Sequence, residues 1–83
     1  MKVKISYLSL IRDITQVKEE EIEVPENTKI RDIIAFLLKK YEGLRPFIEQ
    51  EILITLNGEI ISDLEKEIPN NSEIIIGIPP FGG

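Results

Sequence analysis

The sequence contains neither cysteine nor histidine. That double absence excludes disulfides, thiolate nucleophiles, iron–sulfur ligation and the usual zinc sites. Any general acid or base would have to be a carboxylate, a lysine or a tyrosine. No apolar run approaches the roughly 20 residues that span a bilayer, so no membrane partner is expected. Met1-Lys2-Val3-Lys4 leads straight into alternating residues, which is not the pattern of a secretory signal peptide. An excess of positive charge is lacking too. Lys and Arg number 10 against 15 Asp and Glu, for a net charge of −5. Nucleic-acid binding rests on neutralising phosphates with Lys and Arg, so nucleic acid is not an expected partner. A protein with a basic docking surface suits this charge better. The lack of cysteine fits a cytoplasmic location.

At 83 residues the chain is one domain. A chain this short buries only about 60% of its unfolded surface, so its core is thin and an internal catalytic cavity is not expected. No internal repeat, low-complexity stretch or interdomain linker interrupts it. In Lys2 to Tyr7, Val3, Ile5 and Tyr7 alternate with Lys2, Lys4 and Ser6, the pattern of a half-buried strand. Leu8 to Ile14 loses that period and reads as a turn. Glu19 to Val24 resumes a strand and is stopped by Pro25, so the two strands read as a hairpin around 13–18. Glu19-Glu20-Glu21 reads as a solvated strand edge, since charge protects edges from pairing with other chains.

Asn27-Thr28 offers a helix N-cap. Ile30, Ile33, Ile34, Leu37, Leu38 and Tyr41 then recur on one helical face, predicting a helix from about Lys29 to Tyr41. Lys39 and Lys40 suit the negative end of its dipole, and Gly43 is the natural residue just past its end. Leu44 to Gln50, with Pro46, reads as a connector, and Ile52 to Leu56 as a strand. Asn57-Gly58 signals a type I′ hairpin turn returning through Glu59 to Ile61. Asp63 to Ile68 reads as a short helical turn, Asn70-Asn71 as another turn, and Ile74 to Ile78 as a last strand. One helix on a mixed sheet of about five strands gives a two-layer α+β domain. Ile74, Ile76 and Ile78 point one way, Ile75 the other. Apolar residues on both faces place the last strand centrally, beside the first, in a β-grasp arrangement. Ile75 is either part of a partner-facing patch or covered by Leu8, Leu10 or Ile11.

Beyond Ile78 stand Pro79-Pro80-Phe81-Gly82-Gly83. Proline fixes φ and favours an extended path, so the strand is expected to project outward. Glycines carry no Cβ and pass through channels too narrow for other residues. A stiff spacer with a slim terminus suits a protein that presents its own α-carboxylate to another enzyme. A carboxylate is a poor electrophile until ATP converts it to an acyl-adenylate, which a sulfur or nitrogen nucleophile can attack. On this reading the chain needs no catalytic side chain, and the reacting group is the carboxyl of Gly83.

With Val3 to Tyr7, the helix Ile30 to Tyr41, the Leu56-Asn57-Gly58 turn and the ending Glu73 to Gly83, the sequence resembles the ubiquitin-like sulfur carriers. Within them it is most similar to the MoaD family, the small subunits of molybdopterin synthase. The resemblance spans the whole chain. One departure is that only Phe81 separates Pro80 from Gly82, where the family usually has two residues; one extra residue before Pro79 compensates. The resemblance implies a single ubiquitin-like domain over 1–83 with a flexible tail at 79–83. It also implies a cycle. An E1-like adenylating enzyme (MoeB- or ThiF-like) activates Gly83 with ATP, and a sulfur donor converts it to a thiocarboxylate. The tail then enters a large synthase subunit (MoaE-like), which supplies the catalytic side chains and receives sulfur for the pyranopterin precursor of the molybdenum cofactor. By match, Gly83 reacts, Gly82 is its slim neighbour, and Phe81, Pro80 and Pro79 are docking contacts, with Ile75 a further candidate. No bound cofactor or metal is implied. A protein modifier joined through Gly83 to lysines shares this tail chemistry up to the last nucleophile. A thiazole-pathway sulfur carrier is a further alternative, although such carriers lack the Pro-Pro element. A plain interaction domain with an inert tail is the last.

Overall fold

The computed structural model describes residues 1–50 and 52–79. In chain order these form strand β1 (Lys2–Tyr7), helix α1 (Ser9–Thr15), strand β2 (Glu19–Glu23), helix α2 (Ile30–Lys40), a 3-10 turn (Glu42–Leu44) and helix α3 (Arg45–Gln50). Strands β3 (Leu53–Leu56), β4 (Glu59–Ile60) and β5 (Glu73–Gly77) follow. The sheet order is β2-β1-β5-β3-β4. β1 and β5 run parallel, and the other pairs are antiparallel. The last strand thus lies in the centre beside the first, as its two-sided apolar pattern predicts, and the fold is the β-grasp.

The inner sheet face carries Val3, Ile5, Tyr7, Ile54, Leu56, Ile74 and Ile76, all buried. α2 lays Ile30, Ile33 and Leu37 against it, with Ile34 and Tyr41 packed at the margin. Each such apolar side chain contributes about 1.5–3 kcal/mol on burial. These residues form a single core cluster that also takes in Ile11, Leu44 and Ile68. No helix of the described residues is long and apolar enough to cross a membrane.

The predicted elements are present with ends shifted by about a residue, and five local expectations are corrected. First, β1 and β2 pair as a hairpin would, but α1 occupies the connection. Ile11, Ile14 and Thr15 are spaced at three and four residues, and Ile11 and Thr15 are buried. Second, α2 is capped at Lys29, whose N–H donates to the Asp32 carboxylate at 2.9 Å. Thr28 instead donates its hydroxyl to the Pro25 carbonyl at 2.6 Å. Third, Gly43 does not take a left-handed cap. It sits in the 3-10 turn, where an added Cβ would stand 3.0 Å from Ile14 Cγ2, so glycine there lets α1 approach closely. Fourth, the connector at 45–50 is the helix α3, which tolerates Pro46 because the first turn has no N–H bonds to lose. Asp63 to Ile68, read as a helical turn, is a non-helical turn braced by the Asp63 carboxylate accepting the Glu65 N–H at 2.9 Å.

Asn57 (φ 50°) and Gly58 (φ 89°) form the type I′ turn that their sequence predicts. The Asn57 side-chain oxygen accepts the Glu73 N–H at 2.8 Å, tying the turn to the start of β5. Gly58→Ala should therefore destabilise the protein by about 1–2 kcal/mol through left-handed strain alone, read as a lower urea midpoint. An added Cβ at Gly58 would meet nothing within 4 Å, so a clash would not confuse the result.

Candidate functional site

The site is the launch point of the tail. β5 is held on both sides up to its last residue: Tyr7 pairs with Ile76, and Leu53 with Gly77. Just past β1, the Leu8 N–H donates to the Ile76 carbonyl at 3.0 Å. Ile78 and Pro79 are half-buried, and Ile78 packs on the core. Pro79 has no N–H, so it cannot donate to a continuing ladder. The chain thus leaves the sheet at a point fixed by its two neighbouring strands. Of the sequence-predicted site residues, Pro79 and Ile75 are placed by the structure. Pro80, Phe81, Gly82 and Gly83 lie outside the described residues.

Ile75 stands on the outer sheet face, half-buried, in register with Ser6 and Thr55. Two same-face residues adjoin it: Leu8, one of the covers that the sequence offered, whose side chain lies 3.5 Å from the Cβ position of Gly77, and Leu53, paired with Gly77, which the sequence reading did not single out. Leu8 is 47% exposed. Of the residues considered as covers for the outer face, Ile11 is in the core instead. Thr55 keeps its hydroxyl oxygen buried with no hydrogen-bond partner among the described residues. The β1–β2 side of this face is charged: Lys4 pairs with Glu19 at 2.9 Å and lies 3.9 Å from Glu73, and Lys2 lies 4.0 Å from Glu21. Apolar surface is therefore concentrated at the end of the sheet from which the tail departs. The period-2 pattern of Leu53-Ile54-Thr55-Leu56 carries the signal for Leu53, whereas Leu8 lies outside any period.

A second cluster braces the same end from the inner side. Glu20, read as a solvated edge residue, turns inward. Its Oε2 accepts the Tyr7 and Tyr41 hydroxyls at 2.5 and 2.6 Å, and its Oε1 accepts Lys40 Nζ at 2.6 Å. The two tyrosine rings meet edge to face with centroids 6.0 Å apart. This joins the edge strand and the end of α2 to Tyr7, the residue paired with Ile76. Burial alone would raise the Glu20 pKa, but the hydrogen bonds from Lys40, Tyr41 and Tyr7 outweigh it and hold the carboxyl below its ordinary value. Burial, and then the hydrogen bond to Glu20 and its charge, push the Tyr7 hydroxyl up.

The signs give a stability profile. Glu20 is lowered on folding, so its contribution is full above the unfolded value near pH 4.5 and disappears as pH falls through the folded value. Tyr7 is raised, so its contribution holds below about pH 10 and is lost as pH rises beyond it. Urea midpoints should thus plateau between those limits and fall on either side. Glu20→Gln should lower the plateau and flatten the acid limb.

A β-grasp domain whose last strand lies centrally beside its first defines the class of ubiquitin-like carriers. Residues 5–83 match the ThiS family, and the chain belongs to it. A curated relative, the molybdopterin synthase sulfur carrier subunit of Chlamydomonas reinhardtii, is 23% identical over 83 residues, covering 100% of this chain and 99% of that protein. Among solved structures, a protein assigned as molybdopterin converting factor subunit 1 from Pyrococcus furiosus is 28% identical (TM-score 0.79; 94% of this chain, 97% of that one). The small archaeal modifier SAMP1 of Haloferax volcanii superposes with a TM-score of 0.84 at 14% identity over 100% of both chains. Subunit 1 or 2 in a complex of the two subunits of molybdopterin-converting factor from Helicobacter pylori is 22% identical (TM-score 0.72; 100% of both chains). The resemblance read from the sequence is therefore matched by a sequence relative and by the fold.

Proposed function

We propose that this protein is a sulfur carrier that serves as the small subunit of a molybdopterin synthase. The observation that supports this most is the tail launch: a central strand fixed on both sides through Gly77 and followed directly by Pro79, in a ThiS-family chain. An E1-like enzyme joins the Gly83 carboxylate to the AMP part of ATP, releasing pyrophosphate. A sulfur donor then displaces AMP and leaves a thiocarboxylate. In the large subunit that sulfur passes to the pyranopterin precursor, and hydrolysis restores the Gly83 carboxylate. The chain itself offers no cysteine or histidine, so the carrier contributes the reactive end and the partner the acid–base groups. The outer-face residues Ile75, Leu8 and Leu53, with Pro79, are the proposed docking surface beside the tail. The two-subunit complex from Helicobacter pylori supports a large-subunit partner.

The test is reconstitution. The thiocarboxylated protein, mixed with a large synthase subunit and the pyranopterin precursor, should yield the dithiolene product and return as the carboxylate. Failure with a large subunit that works with its own carrier would count against the assignment.

The likeness to SAMP1 over the full chain favours a second reading, conjugation of Gly83 to lysines of other proteins. That reading expects Gly83 remnants on lysines in digests of native cells, which a dedicated synthase subunit does not leave.

A further inference from the structure

Strand β2 is one end of the sheet, and no strand of the described residues lies beyond it. Its register with β1 defines which backbone groups are left over. The Tyr7 N–H donates to the Lys18 carbonyl, and the Val24 N–H to the Met1 carbonyl, each at 2.9 Å. In an antiparallel pair such bonded positions alternate with positions that make no bond across it. Lys18, Glu20, Ile22 and Val24 therefore direct their backbone groups at β1, while those of Glu19, Glu21 and Glu23 point away from the sheet. A row of outward N–H and C=O groups is a template for an added strand.

The side chains on the two faces of this edge select what can fill it. On the outer face Glu19, Glu21 and Glu23 stand opposite Ser6, Lys4 and Lys2. Lys4, Lys2 and the N-terminal amine pair with them from the β1 side, yet the three carboxylate side chains are 44–70% exposed and stay open to cations from beyond the edge. They repeat about every 6.8 Å, the spacing of alternate residues in an extended chain. On the helix side Ile22, Val24 and Phe36 are half-buried. Val24, Ile33 and Phe36 line a groove of about 380 Å³, to which Glu26 and Asp32 add carboxylates. We propose that the β2 edge is a docking site for an extended segment of a partner protein in which basic and apolar residues alternate. The segment adds a strand to the sheet. Its basic side chains meet the outer glutamates as cross-strand pairs, and one of its apolar side chains enters the groove between Val24 and Phe36. A second copy does not fit this edge, since two β2 strands would set glutamate against glutamate. β1 separates β2 from β5, so the edge lies roughly 10 Å from the strand that carries the tail. A partner can therefore hold the protein here while its carboxyl end is engaged elsewhere.

The docking does not depend on the chemistry of Gly83, so it stands or falls separately from the carrier reading. The probe is an end-blocked peptide of about seven residues, a usual strand length, in which lysine and valine alternate. It is titrated into the full-length protein and followed by NMR. Expected are slowed amide exchange at Glu21 and Glu23, whose N–H groups exchange quickly in the free protein, and shifts of the Val24 methyls. Glu21→Lys should weaken binding by about 10-fold or more, because an attraction becomes a repulsion. Glu21→Pro removes an N–H that β1 does not use, a change that edge strands tolerate, and should abolish docking with the β1 pairing kept. If that variant does not fold, Glu21→Lys carries the test. No slowed exchange with the peptide would overturn the proposal. Equal binding of a peptide of the same composition with its valines grouped would do so too, because net charge would then explain the attraction. Protection that grows with protein concentration and needs no peptide would assign the edge to a second copy and also overturn it.

Discussion

Deleting Gly82 and Gly83 is expected to abolish thiocarboxylate formation and sulfur transfer while leaving the melting temperature unchanged. The first half follows from where the reacting group sits. If the electrophile is the Gly83 carbonyl, its removal transfers the terminus to Phe81. A carbonyl displaced from its reaction position by even about 1 Å can lose on the order of 100-fold in rate, and a two-residue truncation shifts it several times further. A phenyl side chain would then also stand where a slim residue must pass. The second half follows from the fold. The core cluster is built from residues between Val3 and Ile76, none of which touches the deleted pair in sequence. A surface change outside the core shifts stability by about 0.5 kcal/mol or less. Thermal melts and an activation assay on the same preparation check both halves together.

Ile76→Ala should give the opposite pattern, a large loss of stability with the reactive end intact. Ile76 is 1% exposed and lies in register between Tyr7 and Ile54 on the central strand. Shortening a buried isoleucine to alanine costs about 2–5 kcal/mol, because the cavity relaxes only in part. In a domain of this size each kcal/mol lowers the melting temperature by about 4–8 °C, so a cost near 3 kcal/mol means a drop of roughly 12–24 °C. Well below the new midpoint the folded fraction should still accept sulfur, since Gly83 is unchanged. Activity should therefore track the folded population across temperature. The two variants separate a holder that stabilises from an end that reacts.

The sequence conveyed the parts of this fold that depend on period and missed those that depend on contact. The α2 stripe from Ile30 to Tyr41 and the two-faced β5 were legible because burial on one or both faces leaves a direct imprint on residue order. Asn57-Gly58 was legible because few residues accept positive φ at both turn positions. α1 was missed because its seven residues (Ser9–Thr15) carry too few turns for a helical period to stand out. α3 was hidden by Pro46, which helices accept only near their start. Glu20 was misread because three consecutive glutamates look alike in sequence. Only the pairing of Glu20 with Ile5 shows that it faces inward, toward Tyr7 and Tyr41. Its burial is supported by three donors, which is why a carboxylate can stand there. At the site, Ile75 was read correctly as facing away from Ile74 and Ile76. Leu53 joined it only through the antiparallel register that flanks β5, whereas Leu8 was already among the covers that the sequence offered. Gly43 was assigned to the end of α2 for its conformational freedom, whereas its place is a tight approach in which an added Cβ would stand 3.0 Å from Ile14 Cγ2.

The most direct measurement is the intact mass of the protein after incubation with ATP, an E1-like activating enzyme and a sulfur donor, with fragmentation to locate any change. The predicted result is a gain equal to one oxygen-to-sulfur exchange, confined to the fragment ending in Gly83 and absent when ATP is withheld. An unchanged mass under conditions that convert an established carrier, or a sulfur adduct on any other residue, would contradict the assignment of Gly83 as the sulfur-bearing end.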